Sequence, residues 1–283
     1  MDELVLDAFG KINLALDVLY KRDDGYHEIN TIMQQIGLKD TVILKNRSEG
    51  IRIFCDDNRI PTDKRNLVYK AWEKIVEKTK EKRGVEIIIK KRIPLAAGLA
   101  GGSTDAAAVL KGLNILWDLN IPQVELMELG REIGADVPFC ILGGTAQAGG
   151  IGERLKSLKS FSNKLILLAN IGVEVSTPYV YKNLNLKDKK APLDIDKIVK
   201  YIEEDNLKAV AKNMANILED VVLKKYPVIG DIKEEMLKEG ALGSLMSGSG
   251  PTVFGIFDDE HKLIRCKGKL EKKVKVVIAT KTI

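Results

Sequence analysis

Gly98, Gly101 and Gly102, followed directly by Ser103, Thr104 and Asp105, bring together what an anion needs: backbone N–H donors unobstructed by side chains, and hydroxyls. Before them, GVEIIIKKRI (84–93) is rich in β-branched residues and reads as a strand, which Pro94 stops by removing a donor. After them, Ala106, Ala107, Ala108, Val109 and Leu110 form a strong helix pattern, with Ser103, Thr104 and Asp105 as N-cap candidates. Strand, glycine loop and helix N-terminus in succession expose first-turn N–H groups that have no intrahelical partner, an arrangement that favours a phosphate. Two common versions are excluded. No Gly-Lys-Ser/Thr ends the loop, as a P-loop requires, and Ala100 stands where a dinucleotide fingerprint wants a close glycine. The competing reading is a structural turn leading into a packed alanine-rich helix. Three glycines exceed what a turn needs, and the hydroxyl pair suits a phosphate or a metal.

Other polar residues stand out by their surroundings. Lys11 and Asn13 interrupt an apolar run (Ala8, Phe9, Ile12, Leu14) and read as the wall of a site, although a surface lysine is the ordinary alternative. RDDGYH (22–27) is a turn signal carrying Tyr26 and His27. Asp136, ahead of Val137-Pro138-Phe139, is either a reactive carboxylate or a turn aspartate capping a helix end. Gly143, Gly144, Gly149, Gly150 and Gly152 suggest a loop around a ligand, and Ser247-Gly248-Ser249-Gly250-Pro251 is a second compact turn. His27 and His261 are the only histidines, and Cys55, Cys140 and Cys266 lie far apart without a Cys-x-x-Cys pair. Zinc clusters and a Ser-His-Asp triad are thereby disfavoured, and the thiols read as free in a reducing compartment.

The elements that position these groups come from the rest of the chain. At 283 residues and 31.3 kDa it is long enough for two domains. The opening segment is acidic and lacks the basic flank of a signal peptide, and no apolar run is long enough to span a bilayer, so a cytoplasmic protein without membrane partners is expected. A net charge of +5 suits an anionic small molecule or a nucleic acid. Nucleic acid is the weaker case, because lysines are dispersed among glutamates and aromatics are only 5%. The basic run 265–275 alternates with apolar residues and reads as the solvated face of a strand or two.

Strands are expected over 4–19 with a turn or bulge at Gly10, then over 29–38, 40–46 and 50–55, giving four or five before the first long helix at 66–82. A strand at 85–89, helices at 104–119 and 125–133, and an extended 139–142 complete an amino-terminal α+β domain, residues 1–155. A second domain, 156–283, opens with a strand at 164–170 and a helix start or turn at Thr177-Pro178. A surface loop over 188–196 and helices at 196–204, 206–226 and 229–239 follow. Strands at 241–246 and 252–257, a helix from Asp259 and a strand at 273–279 end it. Strands separated by helices suggest a split βαβ sandwich.

Three stretches together resemble the GHMP small-molecule kinases: Ala8-Phe9-Gly10-Lys11-Ile12-Asn13-Leu14, the run Pro94 onward through Asp105-Ala106, and Gly248-Ser249-Gly250-Pro251. Arg22-Asp23-Asp24-Gly25-Tyr26-His27-Glu28, Gly134-Ala135-Asp136-Val137-Pro138-Phe139 and Gly152-Glu153 resemble the branch whose acceptor is a cytidine diphosphate-linked methylerythritol. The resemblance spans essentially the whole chain, departing at Ala100, where many members have glycine. It implies an α+β two-domain fold, a ribosomal-protein-like amino-terminal domain followed by a ferredoxin-like split βαβ domain. It also implies that ATP phosphates lie on Pro94, Leu95, Ala96, Ala97, Gly98, Leu99, Ala100, Gly101, Gly102, Ser103 and Thr104, and adenine near Asn66 and Leu67. Lys11 and Asp136 correspond to the family's catalytic pair; Asn13, Tyr26, His27, Tyr181, Gly248 and Ser249 to its substrate site; and Ser103 to a contact for Mg²⁺. A monomer or weak homodimer acting on a small molecule is the expected state. Acceptors without a nucleobase, homoserine or mevalonate, and an RNA-binding module on the same fold are the alternatives.

Overall fold

A computed structural model of the chain describes residues 2–186 and 192–283. In order, its elements are β1 (Glu3–Lys21), β2 (His27–Arg47), β3 (Ile51–Cys55), α1 (Leu67–Thr79), β4 (Gly84–Lys90), α2 (Gly101–Leu116), α3 (Gln123–Ile133), α4 (Val137–Leu142), β5 (Thr145–Gly149), β6 (Arg154–Ser157) and β7 (Leu165–Asn170). They continue as α5 (Thr177–Asn183), α6 (Ile195–Glu203), α7 (Leu207–Asn213), β8 (Ala215–Asn216), α8 (Glu219–Lys225), α9 (Val228–Lys238), β9 (Gly243–Met246), β10 (Val253–Phe257), α10 (Glu260–Leu270) and β11 (Val276–Lys281). The chain divides into two compact units that are not consecutive segments. The first is Met1–Gly10, Leu38–Ile93 and Ala100–Gly143; the second is Lys11–Gly37, Pro94–Leu99 and Gly144–Ile283.

In the first unit, β4 pairs antiparallel with β2 from Thr41↔Lys90 to Arg47↔Gly84 and parallel with β3 from Ile51↔Val85 to Cys55↔Ile89. Val85, Ile87 and Ile89 alternate toward the core, as period-two side chains must. Against them pack α1, through Val68, Ala71 and Ile75, and α2, through its alanines, Leu110 and Leu113. Small residues on α2 let elements approach closely: a Cβ on Gly112 would lie 2.4 Å from Leu44 Cδ1. In the second unit the sheet order is β11-β7-β10-β9, all antiparallel. With α9 between β7 and β9 and α10 between β10 and β11, that is the expected split βαβ topology. Ile229, Ile232 and Met236 of α9 and Leu263, Cys266 and Leu270 of α10 share one core with Leu167, Ala169, Val253 and Phe257.

Several local expectations are corrected. β1 runs unbroken through Gly10, because a glycine permits a turn without imposing one. β2 joins the two expected strands at Asp40, whose charge is neutralised inside the protein, so three strands precede the first helix. α2 starts at Gly101, ahead of Thr104. Residues 137–142 are helical rather than extended, with Pro138 in the first turn, where no hydrogen-bond donor is needed. The glycine-rich 143–152 is not a loop: it holds β5, paired with β6 and with Thr31–Gln34 of β2, while its positive-φ glycines mark the strand ends. The expected helix 206–226 is α7, β8 and α8, broken where Asn216 turns its side chain to the carbonyls of Met246 and Gly248, 2.8 Å each. The basic run is mostly α10, whose cations pair with acids: Arg265 with Glu239 at 2.7 Å and Lys269 with Glu239 at 2.5 Å, and beyond it Lys273 with Glu235 at 2.6 Å. Part of the expected surface loop 188–196 lies outside the described residues. Among the described residues no helix is long and apolar enough to cross a membrane.

Candidate functional site

Within the first unit, β4 delivers Lys91, Arg92 and Ile93 to the start of the glycine stretch, and α2 receives the chain at its end. Both ends are tied by one buried ion cluster. Lys91 Nζ donates to Asp40 Oδ2 at 2.5 Å and to Asp105 Oδ2 at 2.6 Å, and Asp40 Oδ1 accepts the N–H of Arg92 at 2.5 Å and of Ile93 at 2.8 Å. Burial opposes the charge on Lys91, but the carboxylates of Asp105 and Asp40 outweigh it and raise its pKa. Burial, with Asp40's charge beside it, pushes the Asp105 carboxyl up to about 7 in spite of Lys91. Asp105, a capping candidate from sequence, is instead inside the first turns of α2 and buried, and its Oδ1 has no partner. Lys91 and Asp40 were not legible as a pair; the available signal was a charged residue at the edge of an apolar strand.

Between these ends the backbone turns left-handed at Ala96 (φ +47°), Gly98 (φ +73°) and Ala100 (φ +59°). Ala100 is the N-cap of α2 and its methyl packs partly buried on the first unit's core, so the missing glycine is accommodated at the cost of strain. Ala100→Gly is expected to raise unfolding free energy by roughly 0.5–1 kcal/mol. The left-handed penalty of about 1–2 kcal/mol is relieved, and the freer unfolded chain takes back part of it. Urea unfolding reads this directly, and a destabilised variant would refute it. The first helical hydrogen bond runs from Thr104 N–H to the Ala100 carbonyl at 2.9 Å, so the N–H groups of Gly101, Gly102 and Ser103 precede the helical ladder. Thr104 spends its hydroxyl on the Phe9 carbonyl at 2.7 Å, which leaves Ser103, half-buried, as the hydroxyl of the pair suited to a ligand.

Asn66 caps α1: its Oδ1 accepts from Val68 N–H at 3.0 Å and its Nδ2 donates to the Pro61 carbonyl at 2.7 Å. Its amide is committed to the local turn, whereas Leu67 Cδ1 would lie 3.6 Å from a Cβ on Gly102, against the start of α2. Asp63, Lys64, Arg65 and Tyr69 line an open cavity of ≈ 360 Å³ here. Asp136, also in this unit, precedes α4 half-exposed, and its side chain makes no capping bond.

The second unit positions the remaining candidates. Lys11 is buried, 5% exposed, and donates to Asn13 Oδ1 at 2.8 Å; Asn13 Nδ2 donates to Thr31 Oγ1 at 2.9 Å, and Thr31 to the Ala15 carbonyl at 2.6 Å. The chain orients the lysine, and Thr31 was missed because a threonine in a strand signals nothing alone. Lys11 N–H also reaches the Leu99 carbonyl, 3.1 Å, and Ser247 Oγ donates to the Gly98 carbonyl, 2.9 Å. A Cβ on Gly248 would lie 3.3 Å from that carbonyl and 3.4 Å from Asn13 Oδ1, so Gly98, Asn13 and Gly248 meet. Ser249 shares a 2.8 Å hydrogen bond with Thr177, another residue sequence reading passed over. His27 and Tyr181 place their rings 5.1 Å apart at 32°, whereas Tyr26 is 60% exposed and its backbone N–H is held by Asp24 Oδ1. Behind that turn, buried Glu28 accepts from Gly150 N–H at 3.0 Å and pairs with Arg22 at 3.3 Å and with Arg154.

The sequence matches the model of the GHMP kinases N terminal domain over residues 66–144 and that of the GHMP kinases C terminal over 198–276. It is 52% identical over 262 residues to a 4-diphosphocytidyl-2-C-methyl-D-erythritol kinase of Acetivibrio thermocellus, covering 93% of each chain. The chain belongs to the GHMP kinases. Among GHMP kinases of known structure, a 4-(cytidine 5'-diphospho)-2C-methyl-D-erythritol kinase superposes with a TM-score of 0.84 at 32% identity, covering 99% of both chains. The homoserine kinase from Cytophaga hutchinsonii superposes with a TM-score of 0.81 at 20% identity, covering 100% of this chain and 98% of that one, which speaks for the fold alone. The expected two-domain GHMP kinase fold is therefore the one observed. As a GHMP kinase the chain takes its phosphoryl group from ATP.

Proposed function

We propose that the chain transfers the γ-phosphoryl group of ATP to the 2-hydroxyl of 4-diphosphocytidyl-2-C-methyl-D-erythritol, giving the 2-phosphate and ADP, a step of the non-mevalonate route to isoprenoid precursors. The carrying observation is the 52% identity, across 93% of the chain, to a relative bearing that activity's name. The paired rings of His27 and Tyr181 support it, since homoserine or mevalonate has no base for them to face. The test is substrate-dependent ADP release with MgATP, with homoserine and mevalonate run in parallel. Turnover with the cytidine-linked alcohol alone is expected, and folded protein that turns over only another acceptor would overturn the reading.

In this reading residues 94–104 cradle the ATP phosphates, with the N–H groups of Gly101, Gly102 and Ser103 as donors. Leu67 and the cavity ahead of α1 receive adenine, and Asn66 shapes that turn. Asn13, Tyr26, His27, Tyr181, Gly248 and Ser249 hold the acceptor. Lys11 and Asp136 are the catalytic pair: as oxygen bonds to phosphorus, the hydroxyl proton passes to the Asp136 carboxylate, and the Lys11 ammonium stabilises the transferring charge. Among the described residues no group of three His, Cys, Asp or Glu side chains is placed to hold a metal ion. A Mg²⁺ ion would take most of its oxygens from phosphates and water, as it commonly does, with the Ser103 hydroxyl as the protein oxygen we assign to it, and would supply charge neutralisation on the nucleotide. We keep 1–155 and 156–283 as the two family domains, since the matched segments 66–144 and 198–276 fall on either side of that boundary. Three free cysteines suit a cytoplasmic enzyme, which we take to be a monomer or weak homodimer.

Burial, reinforced by Lys21, lowers the His27 pKa below its ordinary 6.5, so the imidazole is neutral at neutral pH. The folded protein resists protonating it. Acceptor kcat/KM is therefore expected to stay level between about pH 7 and 8 and to fall only on acidification below about 6.5, as the ring gains charge. His27→Phe should remove that acid limb; a limb unchanged in the variant assigns it to another group.

A further inference from the structure

We infer that Lys91, clamped between Asp40 and Asp105, is a positioning residue for the ATP phosphates, fixing the distance between the entry and the exit of the glycine loop. The inference rests on the proposed ATP site at residues 94–104 and adds to it what sets the loop's shape. One bonded circuit carries it: the N–H groups of Arg92 and Ile93, the last residues before Pro94, to Asp40 Oδ1; Asp40 Oδ2 to Lys91 Nζ; Lys91 Nζ to Asp105 Oδ2 on α2. The ammonium lies beside the first residue of that helix, 3.4 Å from where a Cβ on Gly101 would sit.

Stability alone is a poor account of this cluster. Three ionisable side chains are taken almost wholly out of water, and Asp105 Oδ1 gets no partner in return. Apolar replacements of buried ion pairs are often neutral or stabilising, so retaining charge here gains little as glue. Geometry is the better account. The intervening loop holds left-handed backbone at Ala96, Gly98 and Ala100, two of them non-glycine, and such conformations persist only where the surroundings over-determine them. Fixed ends supply that constraint. The donors at Gly101, Gly102 and Ser103 are then aimed before ATP arrives, and the loop need not be ordered at the expense of binding energy.

The test compares Lys91→Met, Asp105→Asn and the double variant Lys91→Met with Asp105→Leu, which removes two charges together and so survives if the single methionine variant fails to fold. ATP affinity is read by calorimetry on the full chain, and KM for each substrate by ADP release, below the melting point of every variant. In Lys91→Met or the double variant, ATP Kd and KM are expected to rise about tenfold or more, with acceptor KM within about twofold. Asp105→Asn keeps an acceptor oxygen for Lys91 and should stay within about threefold of wild type. A folded Lys91→Met or double variant with wild-type ATP affinity and only a lowered melting temperature would overturn the inference. A wild-type chain that itself does not bind ATP would refute the underlying assignment of the loop as well, so the two failures are separable.

Discussion

Asp136→Asn is expected to lower kcat about 10²- to 10⁴-fold while ATP affinity stays within a few-fold of wild type. The substitution removes a charge and a proton acceptor while keeping the side chain's size. Asp136 is half-exposed, and its side chain caps no helix although it stands at the start of α4, so the asparagine inherits no lost capping bond. Its backbone carbonyl, which accepts from Cys140 N–H at 3.1 Å, is untouched. An alkoxide is a far stronger base than a carboxylate, so in the proposed mechanism the proton leaves late, once bonding to phosphorus has made the hydroxyl acidic, and the carboxylate also orients the attacking oxygen. ADP release under saturating substrates, set beside calorimetric ATP binding, checks both halves of the expectation. A folded variant turning over within a few-fold of wild type would make the carboxylate structural.

The glycine turn ahead of α2, the long helices and the split βαβ sheet were legible because each has a local signature: glycines before hydroxyls and alanines, a stripe of apolar residues, and short apolar runs separated by helical ones. What the sequence concealed was long-range. A glycine at position 10 and a Lys39-Asp40 pair both read as breaks, yet β1 and β2 pass through them. Asp40 is tolerable within a strand because Lys91, distant in sequence, pairs with one oxygen and the N–H groups of Arg92 and Ile93 bond the other. Past the end of α7, Asn216 fixes the break that periodicity would bridge, by bonding to the carbonyls of Met246 and Gly248. Of the candidate site, the proposed residues carry local sequence motifs, but the residues that support them do not. Thr31 behind Asn13, Glu28 behind the Tyr26-His27 turn and Asn216 under the Gly248 turn are ordinary residue types whose partners appear only after folding.

Gly98→Ala is expected to cost about 2–5 kcal/mol of stability and about 10²-fold in kcat/KM, whereas Gly144→Ala costs only about 1 kcal/mol and spares activity. Both glycines have left-handed backbone, φ +73° and φ +66°, so the strain of adding a Cβ is common to the two. Their surroundings differ. A Cβ on Gly144 meets nothing within 4 Å, but on Gly98 it would lie 2.1 Å from the Ser247 carbonyl oxygen and 3.1 Å from the Gly250 nitrogen. Those are backbone atoms, and they cannot step aside cheaply. Asn216 holds the carbonyls of Met246 and Gly248 at 2.8 Å, and Ser247 N–H is bonded to the Thr252 carbonyl at 2.9 Å. Residues 94–99 must move instead, which breaks the Ser247 Oγ bond to the Gly98 carbonyl and the Lys11 N–H bond to the Leu99 carbonyl. A shift of an ångström there disturbs the proposed phosphate loop and the backbone of Lys11, the proposed catalytic lysine, together. Urea unfolding and kcat/KM measured on both variants separate the contributions: equal losses would show that backbone strain alone matters, and a larger loss confined to Gly98→Ala would show that the close approach of the two loops is what the glycine is there to permit.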